Sequence, residues 1–225
     1  MGFGAVNANS LVATNNAQGN GGLFLIILLS NVPQAILSFL YLMYNGLFTC
    51  MLQANEWSQF SSQRKALRVS SPTGAQRSTY FLHLPYVYSV PLMILSGLLH
   101  WLVSQSIFLA KVTVYNFDGS EDTDEDISRC GYSNIAIIFT LIVGTVVVAI
   151  GILNGFRRFQ SGIPLVGSCS AAISAACHAP ADDVNASVLP VMWGEVEKGG
   201  EAVGHCCFSS QKVERFIAGK LYAGL

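Results

Sequence analysis

Charge is what this sequence has least of. Asp, Glu, Lys and Arg together make 11% of its 225 residues, where a soluble domain carries about 25%. A soluble enzyme of this length needs a larger polar shell, so the composition points to a bilayer as solvent. The net charge of −1, from 12 Lys and Arg against 13 Asp and Glu, excludes a basic nucleic-acid binder. Basic residues are absent before Arg64, so the positively charged start of a cleavable signal peptide is missing. The six cysteines are irregularly spaced and form no CxxC pair, which excludes a disulfide scaffold and the common zinc spacings. Hydrolase, nucleotide-binding and zinc-protease signatures are absent too: there is no GxSxG, Walker loop, dinucleotide fingerprint or HExxH. No enzyme activity, no cofactor and no metal site are therefore expected.

What the sequence does have is long apolar runs. Hydrophobic residues make 52% of the chain, and three stretches exceed the ~20 residues needed to cross a ~30 Å hydrocarbon core. They are Leu23 to Leu52, Tyr86 to Ala110, and Ser133 to Phe156. Pro33 lies inside the first and predicts a kink or break there. The third is rich in Val and Ile, but its length and lack of turn residues favour a membrane helix. Trp57, Tyr80, Tyr86 and Tyr88 are expected as interfacial anchors.

The connecting segments differ in sign. Residues 53–85 carry Arg64, Lys65, Arg68 and Arg77 against Glu56, and Arg157–Arg158 follow the third span. Residues 111–132 hold the acidic run from Asp118 to Asp126. Positive residues near span ends stay cytoplasmic. This places 53–85 and the tail inside, and the acidic loop and the N-terminus outside. The tail reads as a short helix over 168–177 and two strands over 190–210 around Gly199–Gly200, without a compact core.

Five blocks of the chain carry a resemblance: NVPQAILSFLYLMYNGLFTCML, LRVSSPTGAQRSTYFLHLPY, PLMILSGLLHWLVSQSIFLA, PLVGSCSAAISAACH and GHCCFSSQKVERFIAGKLYAG. With them the chain resembles the C-terminal portion of a family of large fungal multi-pass membrane proteins, described by a domain of unknown function. The resemblance implies an integral membrane protein and transfers no catalytic residue. Members of that family extend further towards the N-terminus. The block GFGAVN at the start of this chain is usually internal there, which implies either a fragment or a short paralogue.

Polar residues inside the spans form the candidate site. Asn31, Gln34, Ser38, Tyr41, Asn45 and Thr49 recur every three or four positions and share one helix face. On the second span Ser96, His100 and Ser104 form a stripe, extended by Ser89 and flanked by Gln105. Polar side chains avoid lipid, so both faces should meet protein or water. The two are expected to face each other as antiparallel neighbours, with Ser38 or Gln34 rather than Asn45 at the level of His100. The reading taken is interhelical hydrogen bonding, with a ligand pathway as the alternative. Gly144, Gly151 and Gly155 give the third span a small-residue face suited to helix packing. The acidic run lacks the ligand positions of an EF-hand and reads as a solvated charge run. Cys169, Cys177, His178, His205, Cys206 and Cys207 match no zinc pattern; inert thiols, with S-acylation of Cys206 or Cys207 as the alternative, are the reading.

The expected fold is an all-α membrane protein with three transmembrane helices and a small mixed α/β cytoplasmic tail. Residues 1–22 form an extracytoplasmic, loop-like N-terminus, 23–156 the transmembrane helical region (spans 23–52, 86–110 and 133–156), and 157–225 the tail. The expected role is a structural or interaction component of a membrane assembly; a transporter or channel subunit using the polar faces is the alternative. Expected partners are the lipid bilayer and other transmembrane helices, from a homo-oligomer or from missing N-terminal spans, and no nucleic acid. The expected location is the plasma membrane or an endomembrane.

Overall fold

The computed structural model describes residues 11–12, 20–115, 117–119, 121–159, 162–196, 203–217 and 219–222. Most of 1–22 and the turn expected at Gly199–Gly200 lie outside the described residues. In chain order the elements are β1 (Leu11–Val12), α1 (Asn20–Gln59), β2 (Arg68–Val69), β3 (Arg77–Ser78), α2 (Tyr86–Ser106), β4 (Ile107–Tyr115), β5 (Glu121–Tyr132), α3 (Asn134–Gly155), α4 (Ser170–Cys177), β6 (Met192–Val196) and β7 (His205–Ser209). Three of the helices, α1, α2 and α3, are long and apolar enough to cross a membrane. Their apolar side chains are largely exposed: Phe24, Ile94, Leu141 and Leu153 stand more than three-fifths open. In water such a surface is costly, whereas in a bilayer it is matched by its surroundings.

The chain divides into two compact units. Unit one takes Met1–Asn45 and Val87–Arg157; unit two takes Gly46–Tyr86 and Arg158–Leu225. At 40 residues, α1 is about 60 Å long, twice a hydrocarbon core. Its residues up to Asn45 belong to unit one and those from Gly46 to unit two. The helix runs unbroken through Pro33. Side chains bond to backbone oxygens in the preceding turn: Ser30 Oγ donates to the Ile26 carbonyl (2.8 Å) and Asn31 Nδ2 to the Ile27 carbonyl (2.8 Å).

The fold is not purely helical, and the largest sheet is in unit one. Strand β5 pairs antiparallel with both β4 and β1. Two expectations are corrected here. The second span was expected to reach Ala110, but α2 stops at Ser106 and residues 107–110 begin β4. The acidic segment 111–132 was expected as a loop, but its second half is the strand β5. The apolar quartet Ile107-Phe108-Leu109-Ala110 raises hydropathy as well in a strand as in a helix, so an apolar run cannot locate the switch. Its β-branched and aromatic neighbours, Val112, Thr113, Val114 and Tyr115, favour extended backbone once an antiparallel partner is available. The hairpin is tied at its base: the Ser133 amide donates to the Ser106 carbonyl (3.0 Å), and Ser106 Oγ and Thr140 Oγ1 stand 3.0 Å apart.

Unit two is also a correction, because the tail was expected to lack a core. Phe60, Ile163, Ala176, Val191, Trp193 and Phe208 form one. Phe60 comes from just beyond α1, so the tail completes its core with a segment more than a hundred residues upstream. Strands β6 and β7 pair antiparallel, Trp193 opposite Phe208, and Lys65 pairs with Val191 as a bridge at their edge. Trp57, expected as a membrane anchor, packs edge-on against Phe208 (centroids 5.1 Å apart) and donates from Nε1 to the Pro164 carbonyl (3.0 Å).

Candidate functional site

The polar faces of α1 and α2 come together at Ser38 and His100. Ser38 Oγ and His100 Nε2 are 3.5 Å apart, at the outer limit of a hydrogen bond. Beside this contact lies a cavity of about 200 Å³ lined by α1, α2 and α3. Tyr41, Tyr44, Ser96, His100, Thr140 and Gly144 contribute to its wall, and the rest is Leu and Val. The cavity is therefore an apolar space with a few hydroxyls and one imidazole, not a hydrophilic passage.

The remaining seam residues separate. Gln34 is half-buried, while Asn31 is exposed and its amide bonds to its own helix. Asn45 closes unit one's share of α1, and Thr49 falls in unit two. Ser104 and Gln105 are half-buried on α2. Ser89 is buried, and its hydroxyl finds no hydrogen-bond partner among the described residues.

The glycine face divides as well. A Cβ added at Gly144 or Gly155 meets nothing within 4 Å, whereas one at Gly151 runs into the phenol of Tyr44. The reason is that Tyr44 Oη reaches the carbonyl of Val147 at 2.5 Å. A carbonyl inside a helix is normally shielded by the side chain four residues on; with glycine at 151 it is open. Tyr44 thus joins α1 to α3, and the sequence reading missed it. Its acceptor is a backbone oxygen, so the pair has no side-chain signature, and the nearest clue was Gly151 itself.

In unit two the basic residues that were read as orientation markers hold the fold together. Arg64 lies beyond α1 and forks onto the tail. Its Nη1 donates to the carbonyls of Pro190 (3.3 Å), Ser209 (3.5 Å) and Ser210, and its Nη2 to that of Gln211 (2.6 Å). Arg68 donates from Nε to Glu56 (3.1 Å), from Nη1 to the Ser78 carbonyl (3.1 Å) and from Nη2 to the Tyr80 hydroxyl (2.7 Å). Lys65 Nζ donates to Gln59 Oε1 (2.6 Å).

Two carboxylates serve the same end. Asp183 is buried and accepts from Ser209 Oγ (2.7 Å), the Ser210 amide (2.7 Å) and Ser210 Oγ (2.5 Å). Burial works against its charge, but these donors prevail and hold the carboxyl below the usual range. Glu195 pairs with Lys220 and accepts from Tyr222 Oη (3.1 Å). The lysine's hydrogen bond, set against desolvation, lowers the pKa of Glu195.

Among the tail thiols, Cys169 and Cys177 are exposed and Cys206 is half-buried. Cys207 is fully buried. Burial, then the Glu195 carboxylate, pushes the Cys206 thiol up to about 11, and burial also raises Cys177. Thiols held protonated are poor nucleophiles. His178 Nδ1 contacts its own helix at the Ser174 carbonyl (2.7 Å), and His205 Nε2 contacts the His178 carbonyl (3.3 Å). Among the described residues no three His, Cys, Asp or Glu side chains converge as a metal site.

Comparison with known proteins gives one match. A family model described as a domain of unknown function (DUF8419) covers residues 1–215, and the chain belongs to that family. No curated protein and no solved structure matches it.

Proposed function

We propose, because the family carries no assigned activity, a role read from this chain's own residues: an integral multi-pass membrane protein serving as a structural or interaction component of a membrane assembly, without catalytic activity. The supporting observation is how the polar groups of unit one are used. Tyr44 spends its hydroxyl on the Val147 carbonyl, and Ser106 and Thr140 meet each other. These contacts join helices, with the Ser106 and Thr140 hydroxyls also reaching carbonyls of their own helices at 2.8 Å, and the cavity beside them is walled mostly by Leu and Val. That the family is one of fungal multi-pass proteins belongs to the same proposal, as does placement in the plasma membrane or an endomembrane.

The proposed orientation puts 53–85 and the tail in the cytoplasm and the acidic hairpin outside. It is supported by charge and by the common fold of 46–86 with 158–225, which requires both segments on one side. Phe117→Cys should be labelled by a membrane-impermeant maleimide from outside intact cells, and Ser70→Cys should be spared. Labelling of both from one side would remove α2 as a span.

A second reading, a transporter or channel subunit, draws on the approach of Ser38 to His100. Native gels and liposome permeability discriminate the two. The structural reading expects a stable assembly larger than a monomer, with homo-oligomers or other transmembrane helices as partners, and liposomes no leakier than empty ones. A flux lost on His100→Leu with folding intact would favour transport.

A further inference from the structure

Unit two holds a pocket that its own core does not fill. Its volume of about 570 Å³ lies within the ~300–1,000 Å³ of small-ligand sites. Trp57, Phe60 and Phe208 form one side as a contiguous aromatic group, with Phe208 edge-on to both other rings at 5.1 and 5.2 Å. Leu67, Val184 and Val191 continue the lining. This unit carries charged side chains and irregular backbone that hydrocarbon does not tolerate, so the pocket faces water. A large apolar recess in water is a recurrent mark of a binding site.

The charges around the pocket select among apolar ligands. The lining includes two carboxylates, Glu56 and Asp183, and one cation, Arg68. Arg68 is already committed: to Glu56 (3.1 Å), to the Ser78 carbonyl (3.1 Å), to the Tyr80 hydroxyl (2.7 Å), and over the Tyr80 ring (4.2 Å to its centroid). Arg68 and Glu56 cancel each other's charge, so the lining keeps the single net negative charge of Asp183 and has no cation left for an anionic headgroup. A fatty acid or a phospholipid headgroup is therefore a poor fit.

We propose that this pocket binds an uncharged lipid with a long aliphatic body, supplied by the membrane. The pocket belongs to unit two whatever side that unit faces, so the proposal rests on the membrane reading only for the ligand's source.

The test uses the full chain reconstituted in phosphatidylcholine nanodiscs; failure to reconstitute would count against the membrane reading and not against the pocket. Two diazirine probes of equal chain length are compared, a long-chain alcohol and the matching fatty acid. The alcohol should cross-link within 53–68 and 177–191, and the fatty acid about tenfold less, the factor that ~1.4 kcal/mol of like-charge repulsion produces. Cys177 lines the pocket while Cys169 is exposed outside its lining. The alcohol should thus slow maleimide alkylation of Cys177 several-fold and leave Cys169 unchanged. Ala179→Trp, which fills the recess, should abolish both effects, and Ser187→Trp at the rim offers the same block should the first variant fold poorly. Equal cross-linking by both probes, or an unchanged Cys177 rate in the wild-type chain, would overturn the proposal.

Discussion

The hydroxyl of Tyr44 donates a 2.5 Å hydrogen bond to the carbonyl of Val147, 103 residues further along the chain. Val147 is one turn before Gly151, so the bond exists only while position 151 has no side chain. Gly144, two turns earlier on α3, has open space where a Cβ would stand and lines the cavity. Two glycines of one helix therefore do different work.

Their substitutions should differ in sign. Gly151→Leu should expel the phenol, break the bond and lower thermal stability in nanodiscs. Tyr44→Phe should lose only the bond, about 0.6 kcal/mol, the average for hydrogen bonds between membrane helices. Gly144→Leu should be neutral or stabilising, because it fills space. Thermal melts that rank Gly144→Leu below Gly151→Leu would refute this account.

His100 should act through a hydrogen bond. At 3.5 Å from Ser38, its contribution should be no more than the ~0.6 kcal/mol average. His100→Leu and Ser38→Ala should cost similar amounts, and the double variant little more than either. His100→Gln should recover most of the loss, since the amide can still reach a hydroxyl. Strict additivity in this cycle would mean that the two residues do not communicate.

Arg64 should resist conservative replacement. Its planar fork serves four carbonyls at once, which a lysine ammonium cannot reproduce. Hydrogen bonds from a charged group contribute about 1.5–3 kcal/mol. Arg64→Lys and Arg64→Ala should both lower the urea midpoint of unit two and hasten proteolysis near Gln211. A lysine variant as resistant as the parent would show that charge alone suffices there.

Asp183 should make the tail acid-sensitive. Its pKa is lower in the folded chain than in the unfolded one. Its stabilisation is thus complete above the ordinary aspartate range, near pH 4, and is lost as pH falls further through the folded value. Tail proteolysis should be flat from pH 7 to about 5 and rise below ~4. Asp183→Asn should be weaker at neutral pH and should lose that part of the acid dependence. An unchanged acid profile in the variant would assign the effect to another carboxylate.

The long helices and the strand pair of the tail were legible in the sequence. A run of apolar residues is a local property, and it needs no partner to declare a helix of a given length. That is why α3 is found within a residue of its expected ends, and why β6 and β7 emerge from the 190–210 segment. The seam on α1 was legible as a face, and one of its contacts was legible too. Periodicity says which side chains share a side of a helix, depth along antiparallel spans narrowed the partner of His100 to Ser38 or Gln34, and the folded chain selects Ser38.

Composition and patterning by themselves determined three apolar helices, a short strand pair in the tail and the opposite charge of the segments between the helices. Tertiary structure decided the rest. It paired 107–115 with 121–132 as antiparallel strands, which offers those residues backbone bonds that a helix reading of the same apolarity cannot foresee. It gave the tail a core, because Phe60 and Trp57 arrive from the far end of α1. It made Arg64 a clamp and set Tyr44 against Gly151, because Arg64 and Tyr44 both find their partners in backbone carbonyls. Every residue carries a carbonyl, so only the folded chain selects which ones are within reach.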